Sequence, residues 1–356
     1  MSILAPVERY LPQVFTRQAV DYWLQKVSKR ASVRATIAEV VAKEERVPGI
    51  VTLQLRPNAR WRGFRAGQHV ELSVEVDGRR LVRRWTISSG ETSRTLELNI
   101  SRIPDGRVTP WVHERVQVGD RVELSEAKGE FTLPENYEDI VFVAGGVGVT
   151  PALSMIRTLQ TRGFRRGFTL VHYVRNAELA LAKKELETLA IREPFFRYLC
   201  VETRDSEPGA ADRQVSADNL RAMNLLLDRS EVYVCGPGGF MDATQDAVHA
   251  IAPNAKVQRE HFVIAKRSFE GAGGRVFFSA SNASHDADDS TSVLEAAEAA
   301  GLQPAFGCRA GICMQCACTK KSGVVVDVRS GVVLSEDNQR IQLCITRPVG
   351  PVEIDL

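Results

Sequence analysis

An excess of charge of one sign is missing from this chain. Its 46 lysines and arginines stand against 44 acids, a net +2, which leaves no general electrostatic case for nucleic-acid binding. Long hydrophobic runs are missing as well. The longest apolar stretches, such as IVFVAGGVGV at 140–149, fall far short of the roughly 20 residues of a membrane span. The opening MSILAPVERYLPQVF has no positive region followed by a long apolar core, so no secretory leader is expected and a reducing cytoplasm is. No haem-ligand motif, di-iron histidine set or Rieske Cys/His pattern is visible, so no terminal acceptor is expected in this chain. The G-x-G-x-x-G fingerprint is also lacking, which excludes a Rossmann dehydrogenase.

What is present is concentrated near the carboxyl end. Cys308, Cys313 and Cys316 lie in FGCRAGICMQC, and Cys344 follows after 27 intervening residues. C-x4-C-x2-C…C is the spacing of plant-type [2Fe–2S] ferredoxins, and thiolates are soft ligands suited to such a cluster. Structural zinc is the alternative, although zinc sites more often use paired C-x2-C knuckles or Cys/His mixtures, and no histidine lies near this loop. Disulfides need an oxidising compartment that nothing in the sequence indicates. Of the remaining cysteines, Cys200, Cys235 and Cys318, the last lies two residues beyond the third candidate ligand and is read as packed.

The 356 residues, 44% hydrophobic and 25% charged, suit a soluble chain of two or three domains. Residues 1–32 form an extension in which Val20, Trp23, Leu24 and Val27 fall at helical spacing after Thr16, a plausible N-cap. Residues 33–137 alternate short β-type runs with turn signals such as Asp77-Gly78 and Gly119-Asp120, the pattern of a small antiparallel β-barrel. Residues 138–265 alternate apolar strands with helical segments, which reads as an α/β domain with a parallel sheet. The stretch 266–274 is a glycine-rich linker. Residues 275–356 are the size of one small α+β ferredoxin domain, with the helix SVLEAAEAAG stopped at Gly301.

Three further motifs bear on chemistry. Arg83 and Trp85 alternate onto one face of a strand, where an arginine can pair with a phosphate and an aromatic ring can cover a flat ligand, while Thr86 offers a hydroxyl; an ordinary exposed strand is the competing reading. In DGRVTPWV, Gly106 closes a turn and Thr109 and Pro110 are expected to cap and open a short helix, whose amides would suit a phosphate. Gly145, Gly146 and Gly148 form a strand-to-helix turn with Thr150 and Pro151 opening the helix. Cys235, Gly236 and Pro237 end a later apolar strand, so both turns face the crevice beyond a parallel sheet.

Together these motifs resemble the ferredoxin–NADP reductase superfamily, in the domain order of the phthalate dioxygenase reductase type, over residues 33–356. The resemblance implies a flavin-binding β-barrel, an NAD(P)-binding α/β domain and a β-grasp [2Fe–2S] ferredoxin domain. It assigns Arg83 to the flavin phosphates, Trp85 to stacking on the isoalloxazine and Thr86 to its N5, where relatives usually carry Tyr and Ser. Gly106 and Thr109 fall where members that bind FAD, rather than FMN, hold the pyrophosphate. Gly145, Gly146, Gly148, Thr150 and Pro151 match the nicotinamide-nucleotide loop, and Cys235, Gly236 and Pro237 the segment beside the nicotinamide. Thr86 and Cys235 are thus the expected catalytic pair. Thr203 and Arg204 match a 2′-phosphate site, which favours NADPH over NADH, and Phe262 follows Glu260 in an ending that lies near the flavin. Cys308, Cys313, Cys316 and Cys344 are the implied cluster ligands.

The function implied is electron transfer from NAD(P)H through FAD and the [2Fe–2S] cluster to a separate acceptor, by a monomer. The extension and the RPNARWRGFRAGQHVEL stretch resemble reductase partners of membrane fatty-acid desaturases. A soluble ring-hydroxylating oxygenase is the second reading, and a redox-sensing or electron-storage module the third. Residues 16–34 carry Arg17, Lys26, Lys29, Arg30 and Arg34 against Asp21, so a peripheral membrane contact at the inner face is one expectation. A helix packed with its polar face in water is the other.

Overall fold

The computed structural model describes residues 35–76, 79–104, 106–203, 214–260, 271–307, 309, 311, 314–328 and 331–356. The expected helix around Val20–Val27 and the basic stretch 16–34 lie outside them. Among the described residues the chain forms two compact units, residues 35–76 with 84–260 and residues 79–83 with 271–356.

The first six strands are β1 (Thr36–Val47), β2 (Ile50–Pro57), β3 (His69–Val76), β4 (Arg79–Thr86), β5 (Leu96–Ser101) and β6 (Arg121–Leu124). They lie in the order β4-β3-β6-β1-β2-β5, and their pairings in the described register are antiparallel. An antiparallel bridge from Ile87, just past β4, to Leu98 in β5 joins the two edge strands. Closure of this kind removes the exposed edges that a small open sheet would leave. Val40, Leu53, Leu55, Val70, Leu72 and Leu98 fill the interior.

Helix α1 (Val108–Arg115) follows β5. It begins before the position that Thr109 and Pro110 imply: Arg107 is the N-cap and makes no side-chain cap bond. The Thr109 hydroxyl is used backwards instead, accepting from the Ile103 amide at 2.9 Å, so it closes the 103–109 turn and leaves the capping to backbone. At the other end of α1 the Lys43 ammonium donates to the His113 and Val116 carbonyls at 2.6 and 2.8 Å, meeting the orphan acceptors of a helix terminus.

Strands β7 (Asp139–Gly145), β8 (Phe168–Val174), β9 (Phe196–Glu202), β10 (Ser230–Cys235) and β11 (Val257–Glu260) form an all-parallel sheet in the order β11-β10-β7-β8-β9. The helices are α2 (Thr150–Arg162), α3 (Lys183–Arg192), α4 (Ala217–Ala222) and α5 (Gly238–Ile251). Strand alternation divides β7 between two cores. Ile140, Phe142 and Ala144 pack with Leu153, Ile156 and Leu186 on one face, and Val141 and Val143 pack with Leu220, Met241 and Val248 on the other. Such two-sided burial is why these strands read as nearly continuous apolar runs. The first core also takes in Val47, Ile50, Phe131 and Leu133 from the barrel segment, so barrel and sheet share one apolar interior.

The other unit carries β12 (Gly274–Phe278), β13 (Ala283–Ala287), helix α6 (Val293–Ala299), β14 (Ala317–Asp327), β15 (Val333–Leu334), β16 (Gln339–Gln342) and β17 (Thr346–Ile354). Its mixed sheet runs β13-β12-β17-β14-β15, with β16 also paired to β14 and β12 parallel to β17. Helix α6 starts with a reciprocal capping box: the Ser292 hydroxyl accepts from the Glu295 amide at 3.1 Å, and the Glu295 carboxylate accepts from the Ser292 amide at 2.9 Å. Its end is Gly301, φ +81°, the stop that the sequence implies. No helix among the described residues is long and apolar enough to cross a membrane.

Candidate functional site

The carboxyl edge of the parallel sheet brings the two glycine turns together. Strands β7 and β10 run in register to Ala144 and Cys235, so GGVGVTP and CGPGGF emerge side by side. A Cβ on Gly236 would meet the Cα of Gly145 at 3.1 Å and the Phe240 ring at 2.8 Å. A Cβ on Gly148 would meet the Cys235 carbonyl oxygen at 2.2 Å, inside any van der Waals limit. These two closures require glycine. They leave Gly146 and Pro237 exposed at the rim. From Gly146 a 3₁₀ turn over Gly146–Val149 leads into α2, which opens at Thr150 with Pro151 in its first turn; the Thr150 hydroxyl donates to the Val147 carbonyl at 3.0 Å.

Cys235 is fully covered, so its backbone lines the closure while Gly146 and Pro237 form the rim. Burial pushes its thiol well above the ordinary range, and the negative charge of Glu260, its register partner on β11, adds to the effect. It is therefore an uncharged thiol at neutral pH and not a thiolate nucleophile. Glu260 holds one carboxylate oxygen 3.5 Å from His69 Nδ1, and its other oxygen is buried without a partner.

On the barrel side, Trp85 is half-buried and Thr86 is 4% exposed. The Thr86 hydroxyl has no hydrogen-bond partner. A buried, unsatisfied hydroxyl costs about 1–3 kcal/mol, so this atom fits a site for a polar ligand atom such as a flavin ring nitrogen. Gly106 lies in the turn closed by Thr109, where a Cβ would stand 3.1 Å from the Thr109 hydroxyl and from the Ile103 carbonyl. The turn leads into the amino end of α1, whose amides suit a pyrophosphate. Arg83 belongs to the residues grouped with the carboxyl-terminal unit. Its Nη1 donates to the Val82 carbonyl at 2.8 Å and also to the Gly307 carbonyl, and its guanidinium lies 5.8 Å from the Phe306 ring centre.

At the tip of β9, the Thr203 amide and hydroxyl both donate to the Val174 carbonyl, at 2.8 and 3.2 Å. Arg204 and Phe262 lie outside the described residues, as do Cys308 and Cys313. Cys316 is buried and Cys344 half-buried. The Leu343 amide donates to the Cys316 carbonyl at 3.2 Å, which sets the two thiols on adjacent chain segments. Between residues 309 and 314, Arg309 (φ +53°), Gly311 (φ +68°) and Met314 (φ +57°) all have left-handed backbone. The buried Arg347 guanidinium has its pKa lowered, because burial outweighs the opposing influence of Glu295, Asp288 and Cys344. Cys318 points elsewhere, its thiol 3.1 Å from the Asp355 carbonyl.

Sequence reasoning passed over two residues of the crevice. Phe240 stands against Gly145 and Gly236, and its place five residues after Cys235 at a helix start was the available signal. His172 lies on β8 with Nε2 2.9 Å from the Gly146 carbonyl; within FTLVHYV it reads as one more buried strand residue.

An oxidoreductase FAD-binding domain matches residues 39–133, an oxidoreductase NAD-binding domain residues 142–246, and a 2Fe-2S iron-sulfur cluster binding domain residues 279–349. An NADPH oxidoreductase of Mycobacterium tuberculosis is 28% identical over 347 residues, covering 94% of this chain and 88% of the relative. The glycine betaine monooxygenase reductase subunit of Chromohalobacter salexigens is 28% identical over 321 residues, covering 82% and 87%. The structure of phthalate dioxygenase reductase matches with a TM-score of 0.61 at 24% identity, covering 91% of this chain and 98% of that one, which shows the shared fold.

Proposed function

Because the chain is an NAD(P)H oxidoreductase of the ferredoxin-reductase type, with FAD-binding, NAD-binding and [2Fe–2S] domains in phthalate dioxygenase reductase-like order, we propose that it draws on NADPH and serves a membrane-bound acyl desaturase. When bound, FAD and the cluster convert the hydride of a two-electron donor into single-electron transfers. The observation that supports the flavin reading is the buried, unpartnered hydroxyl of Thr86, which in this reading meets the flavin ring beside Trp85. In this reading Arg83 and the Gly106–Thr109 turn hold the flavin phosphates. Gly145, Gly146, Gly148, Thr150 and Pro151 take the nucleotide, and Cys235, Gly236 and Pro237 lie beside the nicotinamide with the thiol kept neutral. Thr203 and Arg204 bind the 2′-phosphate. Phe262 lies near the flavin, and Cys308, Cys313, Cys316 and Cys344 hold the cluster.

The choice of acceptor rests on the amino-terminal extension. The alignment with the NADPH oxidoreductase leaves 6% of this chain unmatched, less than residues 1–32 make up. The alignment with the glycine betaine monooxygenase reductase leaves 18% unmatched. Part of the basic extension therefore aligns with the first relative, and a basic extension suits a protein working against a membrane surface as a monomer. The names of the second relative and of the fold neighbour favour an oxygenase instead. Reconstitution decides: the purified holoprotein with NADPH is paired with a di-iron desaturase in liposomes and, separately, with a Rieske oxygenase. Product formation coupled to NADPH consumption with the desaturase supports the proposal. Coupling with the oxygenase alone refutes it.

A further inference from the structure

The peptide between Gly146 and Val147 is held from beneath by a buried imidazole. His172 has no exposed surface and stands in register between Ala144 of β7 and Cys200 of β9, on the face where Phe168 and Leu170 are apolar core. An imidazole in that row is costly to bury unless both nitrogens are satisfied, and both are. Nε2 lies 2.9 Å from the Gly146 carbonyl and Nδ1 3.4 Å from the Tyr198 hydroxyl. A carbonyl only accepts, so Nε2 carries the proton and Nδ1 accepts from Tyr198. Burial lowers the His172 pKa to about 4, so the ring stays neutral and the tautomer holds.

The consequence lies on the other side of the peptide plane. In a trans peptide the carbonyl and the following N–H point in opposite directions. Gly146 is left-handed, φ +55°, and exposed; drawing its carbonyl inward turns the Val147 amide outward, at the mouth of the crevice. We propose that His172 is a positioning residue for the nicotinamide nucleotide, which by anchoring the Gly146 carbonyl aims the Val147 N–H at the ligand's pyrophosphate. This rests on the reading of the loop as the nucleotide site and adds a determinant of affinity that never touches the ligand.

The test is direct binding of NADP+ and NADPH to the holoprotein, with steady-state reduction of ferricyanide alongside and FAD content as the check on folding. H172L should raise the nucleotide Kd and KM about three- to tenfold, the range expected for loss of one hydrogen bond, with kcat at saturation and FAD content unchanged. H172Q, which returns an N–H donor, should recover most of the loss. An unchanged Kd in folded H172L, or H172Q as weak as H172L, overturns the assignment. If H172L does not accumulate with FAD, Y198F decides, because it removes the donor to Nδ1 and frees the tautomer. Two- to threefold weaker binding supports the proposal and a wild-type Kd refutes it. Absence of nucleotide binding to the wild-type protein would instead sink the reading of the loop, and this inference with it.

Discussion

Arg157 on α2 ties three segments that are remote in sequence, and its loss has a size that can be worked from its bonds. Its Nη1 donates to the Glu97 carboxylate at 2.7 Å and the Ser88 carbonyl at 2.9 Å, while Nε and Nη2 take both oxygens of Glu185 at 2.7 Å. The Arg157 side chain is 17% exposed and that of Glu97 6%. R157M keeps the stem and removes all four bonds. Glu185 is 38% exposed and can return to water; Glu97 cannot. Glu97 would keep Arg46 at 3.0 Å and Gln54 at 2.8 Å, so the cost falls at the lower end of that for breaking a buried pair, about 3 kcal/mol. At a urea slope of roughly 3 kcal/mol/M that is a midpoint lower by about 1 M. Adding E97Q removes the stranded charge and should recover at least about 1.5 kcal/mol, a coupling that a double-mutant cycle reads directly. The pH dependence has a fixed sign. Burial alone would raise the Glu97 carboxyl, but Arg157, Asn99 and Arg46 outweigh it and hold it below the ordinary range. Its contribution is therefore complete above the usual carboxylate range and is lost as pH falls through the depressed value. Additive single and double mutants, or R157M within 0.5 kcal/mol of wild type by the ~0.5 kcal/mol additivity criterion, would refute the reasoning.

G148A drives a methyl group into the Cys235 carbonyl, an overpacking of about 1–3 kcal/mol. Nucleotide affinity should fall with FAD content retained, and equal loss of both would point to general misfolding. C344S should abolish the visible absorbance of the cluster while flavin absorbance persists, and C318S should change neither; iron loss in C318S would show the ligand set to be wrong. R204A should weaken NADPH far more than NADH in paired KM measurements, and equal weakening would dismiss the 2′-phosphate role. His172, near pH 4 when folded against 6.5 when unfolded, leaves the unfolded chain binding the extra proton between those values. Stability should therefore drop by about 3 kcal/mol as pH falls from 6.5 to 4, and H172Q should remove that part of the slope in acid denaturation.

What the sequence disclosed was whatever chemistry writes locally. The iron–sulfur domain was legible because C-x4-C-x2-C…C is a spacing short enough to read, and a 2Fe-2S cluster binding domain matches residues 279–349. The barrel strands showed through their turns, and the parallel sheet through runs such as Ile140–Ala144, which are apolar on both faces. The start of α1 was misread because Thr109 offers a hydroxyl at a helix entrance, where capping is the usual use, while here it bonds back to Ile103. His172 and Arg157 left no local trace. Their partners, Gly146 and Glu97, are 26 and 60 residues away, and no periodicity records a contact of that reach. Thr86 was legible as a residue type, but that its hydroxyl is buried and unmatched is a property of the folded barrel alone.

The apolar interior shared by Val47, Ile50, Phe131, Leu133 and the β7–α2 face limits where evolution can cut this chain. A gene fission between barrel and parallel sheet would leave both daughters with a wet, sticky surface, so flavin and nucleotide halves are bound to be inherited together. The carboxyl-terminal iron–sulfur module carries its own sheet and its own capped helix, and is the part free to be shuffled, duplicated or exchanged when the lineage acquires a different electron acceptor.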